Sequence, residues 1–103
     1  MRKIDNKTVE RQIREIVFKF LNPKEYKVFI FGSRATGKAK KFSDYDIGIL
    51  GKKPVPGEKM ALTEEAFEES DLPFKIEVVD FSLVSSKFQN IALSKIKELQ
   101  PIK

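Results

Sequence analysis

Asp44 and Asp46 are the residues of this chain best suited to chemistry. At positions i and i+2 of an extended segment two carboxylates share one face, and like charges a few ångströms apart repel unless something neutralises them. A divalent cation does so. With no His and no Cys anywhere in the chain, the donors are oxygens only, which selects a hard ion such as Mg²⁺ or Mn²⁺. Mg²⁺ commonly completes its coordination with water and substrate phosphates, so the pair of acids points to a phosphorylated ligand.

Gly32-Ser33 offers the other half of such a site. Glycine lets the backbone approach a phosphate oxygen closely, and serine brings both an N–H and a hydroxyl to the same anion. Glu77, on a separate strand, can add a third carboxylate, and three carboxylates can hold two metal ions, one activating a hydroxyl and one stabilising a leaving pyrophosphate. Taken singly, each feature also fits a plainer role: Gly-Ser a turn, Asp-x-Asp a strand edge, Glu77 the polar side of a half-exposed strand.

The elements that must position these groups follow from periodicity. From Asn6 to Leu21, Val9, Ile13, Ile16, Val17, Phe20 and Leu21 recur at helical spacing, with Asp5, Asn6 or Thr8 as N-cap and Pro23 as a stop. Tyr26 to Phe31 is an apolar, β-branched and aromatic run, expected as a strand covered on both faces and ended by Gly32. A short helical turn can follow Ser33. Asp44 to Leu50 alternates, with Asp44, Asp46 and Gly48 on one side and Tyr45, Ile47 and Ile49 on the other, which predicts a second strand. Gly51 to Gly57 reads as a Pro/Gly loop. Glu58 to Ser70 reads as an acidic helix lined by Met60, Ala61, Phe67 and Leu62, and Leu72 to Phe81 as a third strand. Ser85 or Ser86 to Leu99, with Phe88, Ile91, Ala92, Ile96 and Leu99, predicts a closing helix. The expected order is α-β-(turn)-β-α-β-α, a mixed α/β (α+β) fold whose small sheet has three or more strands and flanking helices, with residues 1–103 forming one domain.

Composition sets outer limits. The chain has 103 residues, 41% of them hydrophobic and nine of them Phe, enough for a modest core under a surface that is 34% charged overall. Lys and Arg number 20 against 15 Asp and Glu, a formal net charge of +5 that favours phosphates or acidic surfaces, although the lysines are spread along the chain. Without Cys or His there is no disulfide framework, no thiolate metal site and no imidazole catalysis. No apolar run reaches the roughly 20 residues of a membrane span, and Met1-Arg2-Lys3-Ile4-Asp5 lacks the apolar core of a signal peptide, so a cytoplasmic protein without membrane contact is expected.

The run Gly32-Ser33-Arg34-Ala35-Thr36-Gly37, then Ser43-Asp44-Tyr45-Asp46-Ile47, resembles the signature of the minimal nucleotidyltransferases of the DNA polymerase beta superfamily: Gly-Ser, ten residues, Asp-x-Asp. Leu72 to Phe81 is similar to the segment that carries that family's third acidic residue. The resemblance implies a polymerase beta palm-like sheet in which Gly32 and Ser33 contact the β- and γ-phosphates of a nucleoside triphosphate. It also implies that Asp44 and Asp46 bind two Mg²⁺ ions, with Glu77 completing the catalytic triad. Asp80 is the competing third acid; three residues from Glu77, it faces the opposite side of a regular strand, and Glu77 is preferred. Thr36 stands where many members of the family have Arg, leaving Arg34 and Lys38 as substitute cations at the triphosphate, and Glu77 replaces the commoner Asp.

The function implied is transfer of AMP from ATP to a hydroxyl acceptor. Larger relatives bind the acceptor with a second domain, whereas the resemblance here implies pairing with a helical HEPN protein, often an RNase toxin. That toxin is neutralised by attaching AMP to a tyrosine or, alternatively, by complex formation alone, which makes homo- or hetero-oligomers compatible with the reading. A basic nucleic-acid-binding domain using Arg34, Lys38, Lys40 and Lys41 is the weaker alternative, since no groove-reading or aromatic-interleaved motif accompanies the charge.

Overall fold

The computed structural model describes residues 5–101. Met1 to Ile4, part of the stretch expected to lack the apolar core of a signal peptide, lie outside the described residues. Helix α1, Asn6–Phe20, begins at Asp5, whose Oδ1 accepts from the Thr8 N–H at 2.8 Å, so Asp5 is the N-cap. Val9, Ile13 and Val17, four apart, are buried, while Arg11 and Glu15 form an exposed ion pair at 3.6 Å.

Strands β1 (Tyr26–Phe31), β2 (Tyr45–Gly51), β3 (Ile76–Asp80) and β4 (Lys97–Leu99) form a mixed sheet in the order β3-β2-β1-β4. β1 is antiparallel to β2 and to β4, and β2 is parallel to β3. A parallel neighbour needs a crossover, which helix α3, Gly57–Glu68, provides; the short turn α2, Ser33–Thr36, links β1 towards β2. One face of the sheet, with Val28, Ile30, Tyr45, Ile47, Ile49, Val78 and Leu99, packs with α1 and α3. The other face holds Phe29, Phe31 and Phe81 in edge-to-face contacts, with Phe29–Phe81 centroids 4.9 Å apart and Phe31–Phe81 5.0 Å. Gly48 permits that packing, because a Cβ there would overlap the Phe29 ring and come within 2.8 Å of Phe81.

Three expectations require correction. The segment from Ser85 or Ser86 to Leu99 is not one helix: helix α4 spans Ser86–Leu93, and Lys97–Leu99 is the edge strand β4, paired Val28↔Leu99 and Ile30↔Lys97. Val28 to Phe31 are buried, so the outer backbone groups of β1 need partners that only another strand supplies. Within α3 the inward positions are Thr63 and Phe67, with Met60 packed beside them, and Ala61 and Leu62 face outward. Thr63 is tolerated inside because its hydroxyl donates to the Lys59 carbonyl at 2.8 Å. The third strand is shorter than Leu72–Phe81, since it starts after Pro73 at Ile76 and ends at Asp80, where Phe81–Leu83 form a 3-10 turn. No helix among the described residues is long and apolar enough to cross a membrane.

Candidate active site

The end of β1 and the start of β2 lie side by side, Phe31 opposite Asp46, and on the far side of β2 Asp46 is in register with Glu77 of β3. Asp46 and Glu77 therefore project from the same face of neighbouring strands, away from α1 and α3. This face is covered by the segment after β3: Val84, Ala92, Leu93 and Ile96 pack on Phe29, Phe31 and Phe81, and Phe31 lies edge-on to Phe88 of α4 at 6.2 Å, while Phe88 and Leu83 stay exposed. On the same face Glu77 is exposed and Asp46 half-buried.

Asp46 is half-buried. Burial, then the charges of Glu77 and Asp44, push its carboxyl above the usual carboxylate range. Asp44 lies just before β2 and is exposed. Glu77 is also exposed and makes an ion pair with Lys75 Nζ at 3.2 Å, a partner that period-2 alternation along the strand would have placed on the same side.

Gly32 closes the site from the β1 side. Its φ of +73° is a conformation L side chains rarely adopt, and a Cβ there would overlap Asp46 Oδ2 and lie 3.4 Å from Asp46 Cγ. The bare backbone of the Gly32-Ser33 turn thus sits directly on the Asp46 carboxylate. The turn is held by Ala35 and Thr36 N–H groups donating to the Gly32 carbonyl at 3.0 and 3.1 Å and by Lys38 N–H donating to the Ser33 carbonyl at 3.1 Å. Gly37, in the left-handed region, ends it.

The remaining sequence candidates separate. Lys38 is exposed. Arg34 points its hydrogen bonds away from the turn: Nη2 donates to the carbonyl of Ser43 at 2.7 Å and of Lys41 at 3.4 Å, and the guanidinium lies over the rings of Tyr45 (4.3 Å) and Phe74 (4.9 Å). That aromatic slot was not visible in the local sequence pattern. Asp80 is buried on the helix side of the sheet and fully engaged: Oδ2 accepts from Val55 N–H at 2.7 Å, and Oδ1 accepts from Ser82 N–H at 2.9 Å and Ser82 Oγ at 2.7 Å. Its bonds tie the 51–57 loop and the 3-10 turn to the end of β3.

The donor set of Asp44, Asp46 and Glu77, all oxygen, fits a hard divalent cation, and a cation would offset the charges of Glu77 and Asp44 that add to burial in raising the Asp46 carboxyl. Among the described residues no three acidic groups already converge as an ion-binding cluster. The arrangement sets the Gly32-Ser33 turn beside Asp46 and Glu77 on one sheet face.

Comparison with known proteins agrees with that geometry. A family model described as "Nucleotidyltransferase domain" matches residues 10–101. A Haemophilus influenzae protein named "Probable protein adenylyltransferase MntA" is 39% identical over 88 residues, covering 85% of this chain and 76% of the relative. A crystal structure of a toxin–antitoxin with AMP-PNP superposes with a TM-score of 0.70 at 21% identity, covering 91% of this chain and 74% of the other. A structure of tri-AMPylated Shewanella oneidensis HEPN toxin in complex with MNT antitoxin gives a TM-score of 0.58 at 19% identity, covering 90% and 73%. These two structures share the fold. On the extent of the family match and the identity to the Haemophilus protein, this chain belongs to the nucleotidyltransferase domain family.

Proposed function

We propose that the chain, acting as one nucleotidyltransferase domain in the cytoplasm, transfers AMP from ATP to a hydroxyl on a HEPN-type partner protein. The observation that carries this reading is the seating of the Gly32 backbone on the Asp46 carboxylate, which brings a triphosphate-receiving turn and the acidic residues to one place. The 39% identity to a protein named as an adenylyltransferase supports the reaction, and the complexes of toxin with MNT antitoxin support the partner.

In this reading the backbone of Gly32 and the N–H and hydroxyl of Ser33 receive the terminal phosphates, with Lys38 supplying a mobile cation from the exposed side of the turn. Arg34, expected beside Lys38 as a substitute cation, keeps its guanidinium on the Ser43 and Lys41 carbonyls and is not assigned a phosphate contact. Asp44, Asp46 and Glu77 are the residues that would hold Mg²⁺. When bound, the metal supplies charge neutralisation for the triphosphate and the departing pyrophosphate. The acceptor oxygen forms a bond to the α-phosphorus, the bond to pyrophosphate breaks, and the hydroxyl proton passes to the Glu77 carboxylate. The chain's share of the catalysis is positioning and electrostatics.

Co-expression with a HEPN protein followed by intact-mass measurement of that partner tests the proposal. The expected result is mass gain in whole AMP increments, lost with Asp44→Ala and with Asp46→Ala. A partner that is silenced but unmodified would replace transfer by neutralisation through binding. A partner that stays both active and unmodified would sink both readings.

A further inference from the structure

We propose that Arg34 is a positioning residue: a clamp that fixes the 38–44 loop, and with it Asp44, against the carboxylate face. The inference rests on the nucleotidyltransferase reading for what the clamp serves, but the clamp itself is a statement about this chain's geometry.

Arg34 follows Ser33 directly, so its backbone belongs to the turn that would receive phosphate, while its side chain reaches the loop that ends in Asp44. Nη2 takes the Ser43 carbonyl at 2.7 Å, one residue before Asp44, and the Lys41 carbonyl at 3.4 Å. The loop is itself closed by Ser43, whose N–H donates to the Lys40 carbonyl at 3.1 Å and whose Oγ accepts from the Lys40 N–H at 2.8 Å. Arg34 therefore grips a preformed tight turn rather than a loose strand of chain.

The guanidinium is placed by two rings. Tyr45 and Phe74 lie within 4.3 and 4.9 Å of Cζ and pack on each other at 5.3 Å between centroids, with the Tyr45 hydroxyl anchored to Asn6 Oδ1 at 2.8 Å. Arg34 Nε is buried and without a partner, so stacking and the Nη2 bonds together hold the group. A planar cation that stacks and donates sideways at once is a task for arginine; a lysine ammonium has no flat face to stack and cannot span both carbonyls from that slot. Tyr45 and Phe74 come from β2 and from the approach to β3, so the clamp ties the turn after β1, the loop before β2 and the segment before β3 into one unit. An Arg beside Gly-Ser would ordinarily be read as a phosphate ligand, and its observed bonds go to the loop instead.

Hydrogen exchange read by mass spectrometry on the full chain, with ATP titrations in the presence and absence of Mg²⁺, tests the clamp. For Arg34→Lys we expect exchange of the amides of residues 38–44 to rise about tenfold, with ATP binding in chelator unchanged and the Mg²⁺ concentration needed for full binding raised severalfold. Phe74→Leu, which removes one wall and keeps the guanidinium, is expected to give a smaller rise in the same amides. It keeps the test decisive if the Arg34 variant folds poorly. Unchanged loop exchange in both variants overturns the proposal. So does a loss of metal-free ATP binding without loop exposure, which would make Arg34 a phosphate ligand. If the wild-type chain binds no ATP, the nucleotide reading fails, and the exchange data still decide the clamp.

Discussion

At Gly32 the chain leaves β1 with φ +73° and passes over Asp46 so closely that a single added methyl group collides with Oδ2. Gly32→Ala must therefore strain the backbone and displace the carboxylate together. We expect a loss of about 1–3 kcal/mol in urea denaturation and weakened ATP binding in the same preparation; a variant as stable as wild type would show that the turn yields freely. Asp46 carries a different signature, because burial and the charges of Glu77 and Asp44 raise its pKa in the folded chain. The folded state thus holds that proton more tightly than the unfolded chain does. The resulting cost in stability is absent below the ordinary carboxylate range and is fully present once the pH exceeds the raised folded value. Asp46→Asn removes the cost. Because the site is open to solvent the gain is modest, about 1–3 °C in Tm at neutral pH, shrinking to nothing in acid, while AMP transfer is lost. A set of melts across pH in which the variant is the less stable protein at neutrality contradicts this account.

Between residue and fold, β3 separates two acids that look alike in sequence. Glu77 faces Asp46 across the parallel register and is exposed, whereas Asp80 turns to the opposite side and accepts three hydrogen bonds, from Val55 and twice from Ser82. Asp80→Ala is expected to cost about 2–4 kcal/mol, since it orphans buried donors at the end of the strand. Glu77→Gln is expected to change stability by less than about 0.5 kcal/mol, as its partner Lys75 is exposed, yet to remove transfer. The reverse pattern would exchange their roles. Alternation already put these acids on opposite faces, and it did so because strand geometry is local. The same local rules failed after Leu93. Ile96 and Leu99 continue the helical spacing of Phe88 and Ala92, but Leu99 is buried by pairing with Val28, and Lys97 and Glu98 make ion pairs with Glu10 at 2.8 Å and Lys27 at 3.6 Å. The demand of β1 for a second neighbour decides the structure there, and a window of a dozen residues contains no trace of that demand.

Across the whole molecule, what the sequence leaves open is adjacency. Gly-Ser and Asp-x-Asp are readable as two halves of a site because only the short turn and loop separate them, but the registry of Asp46 with Glu77 exists only after α3 carries the chain back to lay β3 parallel to β2. The slot for Arg34 is equally non-local, with one ring wall at position 45 and the other at 74. A site assembled this way, from β1, β2 and β3 together, links ligand binding to the stability of the entire sheet. A ligand that binds only the folded state adds RT ln(1 + [L]/Kd), about 2.7 kcal/mol at a hundredfold excess over Kd, which in a chain of this length corresponds to about 10 °C or more in Tm. Saturating ATP with Mg²⁺ should therefore raise the melting temperature of the wild-type protein by that order, and chelation should reverse most of the gain by returning the acids to mutual repulsion beside an unneutralised triphosphate. Asp44→Ala and Asp46→Ala, which lose the carboxylates but keep the Gly32-Ser33 turn, should retain only the small metal-free shift. Thermal melts of the three proteins with ATP, ATP plus Mg²⁺, and ATP plus chelator separate the cases. A full shift that persists in chelator, or in Asp46→Ala, would mean that the nucleotide is held by the turn alone and that the acidic face takes no part in binding it.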